Sequence, residues 1–187
     1  MTTRHTRTSY EKEDLVRCYQ GALFGEDGPR LPASPMLMLD RIVEIDAAGG
    51  TKGLGRIVAE LDIIPNLWFF GCHFLEDPVM PACLVMDGVW QILGFYLAWH
   101  GFPGRGRALG AEHARFRAEV LPSTSRVRYE VDVQRIARRV PPVIIGNADV
   151  YADEKLAYEM QGMRLTFLPK AEMRAATRNE INAPPLL

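Results

Sequence analysis

Two ionisable residues stand within apolar sequence, where an unpaired charge costs several kcal/mol. His73 lies in Phe69-Phe-Gly-Cys-His-Phe74, and Asp87 lies near the start of a long apolar stretch. Low-dielectric surroundings favour the neutral forms, so the imidazole can accept a proton and the carboxylic acid can donate one. Each residue also has a structural interpretation, as a hydrogen-bonded core histidine or as a first-turn partner of a helix dipole. Together they contain the minimum needed for acid–base catalysis.

The turn before Asp87 could supply an electrophilic part of the same site. Val79-Met-Pro-Ala-Cys83 leads into the apolar stretch, and Pro81 suits the first position of a helix. Free backbone N–H groups at a helix start can polarise a carbonyl oxygen. The proline would begin the helix with or without such a role.

The cysteines near these residues suggest two other chemistries. Cys83 could act as a thiolate nucleophile, although apolar surroundings disfavour a thiolate. Cys72, Cys83 and the acid–base pair match no compact zinc-ligand spacing, so no metal site is expected. No Gly-rich loop follows a strand and opens a helix, so the sequence gives no support for nucleotide binding.

Composition excludes several functional classes. The chain has 187 residues, 48% of them hydrophobic and 24% charged, as in an ordinary globular domain. The 22 basic and 23 acidic residues give a net charge of −1, which disfavours nucleic-acid binding. Cys18, Cys72 and Cys83 are too few for a disulfide framework, and their odd number fits reduced thiols in the cytoplasm. Residues 1–10 are polar and lack the apolar core of a secretory signal.

The apolar stretch that carries Asp87 predicts a helix. Residues 82–100 contain no proline. One broad face at helical spacing is apolar, with Val85, Val89, Ile92, Leu93, Tyr96 and Leu97. The opposite face is small and partly polar, with Leu84, Asp87, Gly88, Gln91, Gly94, Phe95 and Ala98. This pattern favours a buried core helix over a membrane span, and the small residues would let a ligand or another backbone approach.

The remaining sequence predicts an α+β domain. A short capped helix is expected over 9–20, beginning at Ser9, and a hairpin over 36–45 and 53–61. A folded loop over 65–81 precedes the long helix, and strands are expected over 108–120, 126–138, 143–151 and 156–167. The tail after Pro169 is expected to be peripheral. The economical arrangement is one domain, 1–187, with an antiparallel sheet wrapped round one helix, and dimerisation would cover the open sheet edges.

A small basic cluster has two interpretations. Arg135, Arg138 and Arg139 lie close together in sequence, as part of Arg135-Ile-Ala-Arg-Arg139. They could form an ordinary solvated surface. They could also steer an acidic partner, since a local patch acts even where the net charge is near zero.

These motifs together resemble the bacterial 3-hydroxydecanoyl-acyl-carrier-protein dehydratase/isomerase family. The resemblance is carried by Asn66-Leu-Trp-Phe-Phe-Gly-Cys-His-Phe74, Asp77-Pro-Val-Met-Pro81, Trp90-Gln91 and Gly94-Phe-Tyr-Leu97, and it extends over about 10–169. It implies a hot-dog fold, in which a long helix is wrapped by an antiparallel sheet. It also implies a homodimer whose active sites lie at the interface, each pairing His73 of one subunit with Asp87 of the other.

The resemblance implies a reaction as well. The substrate would be a medium-chain (3R)-hydroxyacyl thioester on acyl carrier protein, which Arg135, Arg138 and Arg139 would dock. His73 would take the α-proton, Asp87 would protonate the leaving hydroxyl, and trans-2-enoyl thioester would form, followed by isomerisation to the cis-3-enoyl product. Substrate contacts would come from Phe74, Ala82, Cys83, Gly88 and Gln91. No metal or diffusible cofactor would take part.

Three places depart from the family pattern, and other activities stay open. The family usually has Gly at the position of Ala82, a small residue at that of Val85 and a Gly where this chain has Arg117-Ala118, so the accepted chain length and the isomerase activity could differ. One alternative is a homologue that only dehydrates, or only binds acyl carrier protein, in a specialised lipid or polyketide pathway. Another is a hot-dog thioesterase, in which the same carboxylate would activate water.

Overall fold

The computed structural model describes residues 5–25 and 28–169. The elements in chain order are α1 (Lys12–Gln20), β1 (Arg41–Asp46), β2 (Arg56–Asp62), a 3-10 turn (Trp68–Gly71), α2 (Ala82–Trp99), β3 (Arg105–Gly110), β4 (His113–Phe116), β5 (Arg126–Ala137), β6 (Val143–Ala152) and β7 (Lys155–Leu168). These elements confirm the α+β prediction. The predicted tail lies outside the described residues.

One antiparallel sheet contains all seven strands, in the order β1-β2-β5-β6-β7-β3, with β4 also paired to β7. The predicted hairpin is present, since Arg41 pairs with Glu60 and Asp46 with Arg56. The prediction of one strand over 108–120 was wrong. Gly110 has a φ of +134°, which only glycine adopts easily, and the chain turns there from β3 into β4. Both pieces then pair with β7 at different places along it.

Helix α2 packs on strands β2, β5, β6 and β7 and forms the centre of the core. Its predicted apolar face is fully buried, including Val85, Val89 and Ile92. The helix is long and apolar enough to cross a membrane, but 67% of its residues are buried inside the protein, which is the pattern of a core helix. Near its C-terminal end, Tyr96 donates a hydrogen bond to the carbonyl of Leu54 at 2.8 Å. This bond fixes the helix against the β1–β2 hairpin.

The N-terminal helix α1 begins three residues later than predicted. Its N-cap is Glu11 rather than Ser9, and Glu11 forms a capping box with Asp14, whose carboxylate accepts the Glu11 N–H at 3.1 Å. Arg7 donates to the same carboxylate at 2.9 Å, and its guanidinium holds the pKa of Asp14 below the ordinary value. The helix therefore starts where the Asp14 carboxylate can accept the N–H of the N-cap residue.

The two edges of the sheet differ. The edge strand β1 is covered by the N-terminal segment, because Tyr10 and Ile42 exchange backbone hydrogen bonds and the Ile45 N–H donates to Thr8. The other edge strand, β3, pairs with β7 on one side, and no strand among the described residues lies on its other side. This open edge lies next to the candidate site.

Candidate active site

Asp87 is held by Gln91, one turn farther along α2. The Gln91 amide N–H donates to Asp87 Oδ2 at 2.6 Å and to the carbonyl of Met36 at 2.8 Å, while its Oε1 accepts the Met38 N–H at 3.0 Å. The backbone N–H at Met38 can only donate, so the orientation of the amide is fixed by its partners. Gln91 is buried, and Asp87 is half-buried. One carboxylate oxygen is thus occupied, and Oδ1 is the oxygen left for chemistry.

His73 lies in the loop before α2. Its Nδ1 is 2.9 Å from the carbonyl oxygen of Val79, and the Val79 N–H donates back to the His73 carbonyl at 2.8 Å. A carbonyl oxygen can only accept, so Nδ1 carries the proton in the neutral ring and Nε2 has the free lone pair. The Phe74 ring stacks on the imidazole with centroids 4.2 Å apart. Nε2 is therefore the ring nitrogen that is free to accept a proton.

The start of α2 presents free donors beside this loop. Pro81 is the N-cap residue, and Leu84 donates to its carbonyl at 3.0 Å. Among the described residues, the N–H groups of Ala82 and Cys83 have no acceptor outside the helix. Helix starts of this kind can bind a carbonyl oxygen that gains negative charge. The predicted position of the electrophilic donors is thus compatible with the geometry.

A cavity of about 530 Å³ lies beside Asp87. Its lining residues come from the small face of α2, the loop at 29–36, strand β3 and the end of β7. On the helix they are Asp87, Trp90, Gln91, Gly94, Phe95 and Ala98. The predicted small face therefore borders an open volume, and Asp87 is the acid at one end of it.

The predicted site residues do not all meet in this cavity. Asp87 and Gln91 line it, whereas His73, Phe74, Ala82 and Cys83 do not. No hydrogen bond joins His73 to Asp87 within the described part of the chain. Phe74 is 57% exposed, so this loop presents its side chains outward. A single chain therefore brings only Asp87, of the predicted acid–base pair, into this cavity.

Two residues of α2 have packing roles. Gly88 is buried against the Tyr129 hydroxyl, and a Cβ at this position would lie 2.7 Å from it. Its predicted substrate contact stays a prediction. Val85 is fully buried in the core and does not border the cavity, so the larger residue at this position does not narrow the pocket.

The basic cluster borders a second, apolar cavity. Arg135 is exposed near the end of β5, and Arg138 and Arg139 are exposed in the turn that follows. A cavity of about 550 Å³ lies between this turn and the turn at 102–104, and Arg138 lies over the Phe102 ring at 5.8 Å. The patch thus combines positive charge with apolar surface.

The thiols occupy different surroundings. Cys18 is buried at the edge of the Asp87 cavity, and burial raises its pKa to about 11, which keeps it a neutral thiol. Cys72 and Cys83 are exposed. Within the part of the chain that the structure describes, no three His, Cys, Asp or Glu side chains converge as metal ligands would.

Sequence reasoning missed the other walls of the cavity. Pro29, Arg30 and Leu31 line it from a loop without regular structure, and Arg105 to Ala108 line it from β3. Residues on distant strands and loops carry no local signal of a shared pocket. The resemblance noted over about 10–169 spans both segments, and this was the signal that could have located them.

The chain matches one known protein family over most of its length. The FabA-like domain family matches residues 31–161, which include His73, Asp87, all of α2 and most of the sheet. The chain belongs to the FabA-like domain family. The predicted acid–base pair and the helix that carries Asp87 therefore both lie within the matched region.

Solved structures agree on the fold. The dehydratase heterocomplex ApeI:P from Xenorhabdus doucetiae is similar over 81% of this chain and 93% of its own, with a TM-score of 0.60 and 11% identity. The fluoroacetyl-CoA thioesterase FlK is similar over 69% of this chain and 95% of its own, with a TM-score of 0.54 and 12% identity. The protein therefore has the predicted α+β hot-dog fold, which dehydratases and thioesterases share.

Proposed function

We propose that the protein is a hydro-lyase that dehydrates (3R)-hydroxyacyl thioesters carried on acyl carrier protein. The observation that carries the proposal is the Asp87 carboxyl group, fixed by Gln91 at one end of a mainly apolar cavity. Such a cavity suits an acyl chain, and the one acidic group among its lining residues suits a leaving hydroxyl.

The proposed reaction is an elimination, in which Cα loses a proton and Cβ loses its hydroxyl group. Nε2 of His73 removes the α-proton of the thioester, and the electron pair forms the Cα=Cβ bond. The C–O bond at Cβ breaks, and Asp87 Oδ1 protonates the departing hydroxyl to give water and a trans-2-enoyl thioester. The N–H of Ala82, at the start of α2, would stabilise negative charge on the thioester oxygen.

Both proton-transfer groups must reach one substrate, and a homodimer accomplishes this. Strand β3 has an open edge among the described residues and also lines the Asp87 cavity. A second copy paired along β3 would extend the sheet and bring its own loop towards this cavity. That loop carries His73 and the exposed Phe74 and Leu75, the last of which is 85% exposed. The geometry favours a site built from His73 of one protomer and Asp87 of the other.

The remaining parts of the proposal concern partner, product and location. Arg135, Arg138 and Arg139 form an exposed basic patch that suits docking of an acidic carrier protein. The same acid–base pair could remove a γ-proton and return one to Cα, which would give the cis-3-enoyl isomer. No metal or diffusible cofactor enters either step. The free thiols fit a reducing compartment such as the cytoplasm.

The test is incubation of purified protein with 3-hydroxydecanoyl acyl carrier protein, followed by mass spectrometry and chromatography of the released acyl chains. We expect trans-2-decenoate, and cis-3-decenoate if the second proton transfer also occurs. The Asp87→Asn variant is the control and should form neither. Release of free carrier thiol without an enoyl product would instead assign a thioesterase, and carrier binding without any product would assign an accessory protein.

A further inference from the structure

Two glycines line the Asp87 cavity beside the same pair of side chains. Gly94 lies on α2 and Gly106 on β3, and both line the cavity. A Cβ built on either glycine would lie 3.7 Å from the same atom, Leu165 Cδ1. Both positions would also be within 4 Å of the Phe167 ring. Leu165 and Phe167, both on β7, therefore lie beside both glycines.

Neither glycine is required by the backbone or by close packing. Both have φ outside the left-handed region, and the contacts of an added Cβ would be ordinary van der Waals contacts. Gly88 is different, since its Cβ would lie 2.7 Å from the buried Tyr129 hydroxyl. Glycine is also a poor helix former, so Gly94 weakens α2 without any packing gain. What the two glycines do provide is open volume in the cavity.

The two Cβ positions would leave little room for a hydrocarbon chain between them. Because both Cβ positions lie 3.7 Å from Leu165 Cδ1, they cannot be farther apart than twice that distance. Two carbon atoms on opposite sides of a methylene chain need a separation of about 7 to 8 Å. Methyl groups on both residues would therefore close the passage, and one methyl group would narrow it.

We propose that Gly94 and Gly106 determine which acyl chain lengths the site accepts, by forming a constriction that longer chains must pass. This inference rests on the proposed function. Gly94 follows Asp87 by two helical turns, or about 10 Å along the axis. A short acyl chain with its reacting carbons at Asp87 would end before the constriction, whereas a medium-length chain would extend through it towards Ala98, which lines the cavity beyond.

The experiment compares wild type with Gly94→Ala, Gly106→Ala and the double variant, using 3-hydroxyhexanoyl and 3-hydroxydecanoyl carrier thioesters. For each single variant we expect kcat/KM to fall by about 10-fold to 200-fold for the decanoyl substrate, as for one methylene in an apolar pocket. The hexanoyl value should stay within about threefold and serves as the internal control. Melting temperatures at or above the wild-type value would show that the variants fold.

A binding measurement separates this inference from the proposed reaction. Calorimetric titration with saturated hexyl and decyl pantetheine thioethers needs no turnover. A wild type that binds the decyl compound tightly, with the preference lost in Gly94→Ala, supports the constriction even if no dehydration is found. An unchanged ratio between the two lengths, or an equal loss for both, would overturn it.

Discussion

The two halves of the proposed acid–base pair are held in different ways. Asp87 lies on a buried helix, and its partner Gln91 bonds to Met36 and Met38, which are more than fifty positions away in sequence. His73 lies in a loop whose hydrogen bonds go to near neighbours, to Phe69 and Val79, and whose next residues are exposed. One half is fixed by the core, and the other is presented outward.

This difference indicates which part of the proposed site one chain forms alone and which part needs a second copy. A group tied to the core needs no further support, so one chain already forms the cavity and its acid. A group in an outward loop needs a surface to face, and the open edge of β3 offers one on a second copy. The same contrast predicts how variants in the two regions will behave.

The largest expected effect is on catalysis, and it should be similar in both regions. Asp87→Asn and His73→Ala should each lower kcat by about 10² to 10⁴-fold, since each removes one proton-transfer group. Both proteins should keep the wild-type melting temperature and oligomeric state. Steady-state kinetics with circular dichroism tests this, and a variant with nearly full activity would remove that residue from the mechanism.

A substitution of Gln91 should affect both stability and catalysis, because this residue ties Asp87 to the core. Gln91→Leu should leave the Met38 N–H without its partner at a cost of about 1 to 3 kcal/mol. It should also lower kcat by about 10²-fold, because Asp87 is no longer held in position. Gln20→Leu, at the exposed end of α1, is the matched control and should change neither quantity. Urea unfolding and kinetics measure both effects, and loss of stability with unchanged kcat would show that Gln91 does not position Asp87.

The smallest effect concerns a region away from the cavity. The pKa of Asp14 lies below its ordinary value of 3.8 because Arg7 donates to it, so its ionised form stabilises the fold above that pH. Asp14→Asn should cost about 1 kcal/mol at pH 7. The difference from wild type should vanish as the pH falls through the folded pKa of Asp14, while kcat at pH 7 stays unchanged. Unfolding free energies across about pH 2 to 7 test this, and a difference that is constant with pH would contradict it.

The sequence pattern predicted the helix that carries Asp87, but it did not predict which other segments line the cavity beside it. Helical spacing located α2 almost to the residue and identified its small face, because periodicity is a local property. The break at Gly110 was missed, since apolar and polar residues continue through it without a visible change. The cavity walls from β3 and the loop at 29–36 depend on pairing between distant segments, which no local pattern encodes.

The position of His73 outside the lining of the Asp87 cavity could not be deduced from spacing. The two residues are only fourteen positions apart, and a loop followed by a helix could place them together or apart. Their apolar surroundings already suggested a shared site, but only the resemblance to the dehydratases implied that the pair comes from two subunits.

The central claim is that each site takes His73 from one protomer and Asp87 from its partner. The direct test is a mixed dimer of the His73→Ala and Asp87→Asn chains, purified through two different affinity tags. It would contain one site with both groups intact, so we expect about half of the wild-type kcat per dimer. A mixed dimer no more active than either parent variant would contradict the account, because it would place both groups in the same chain.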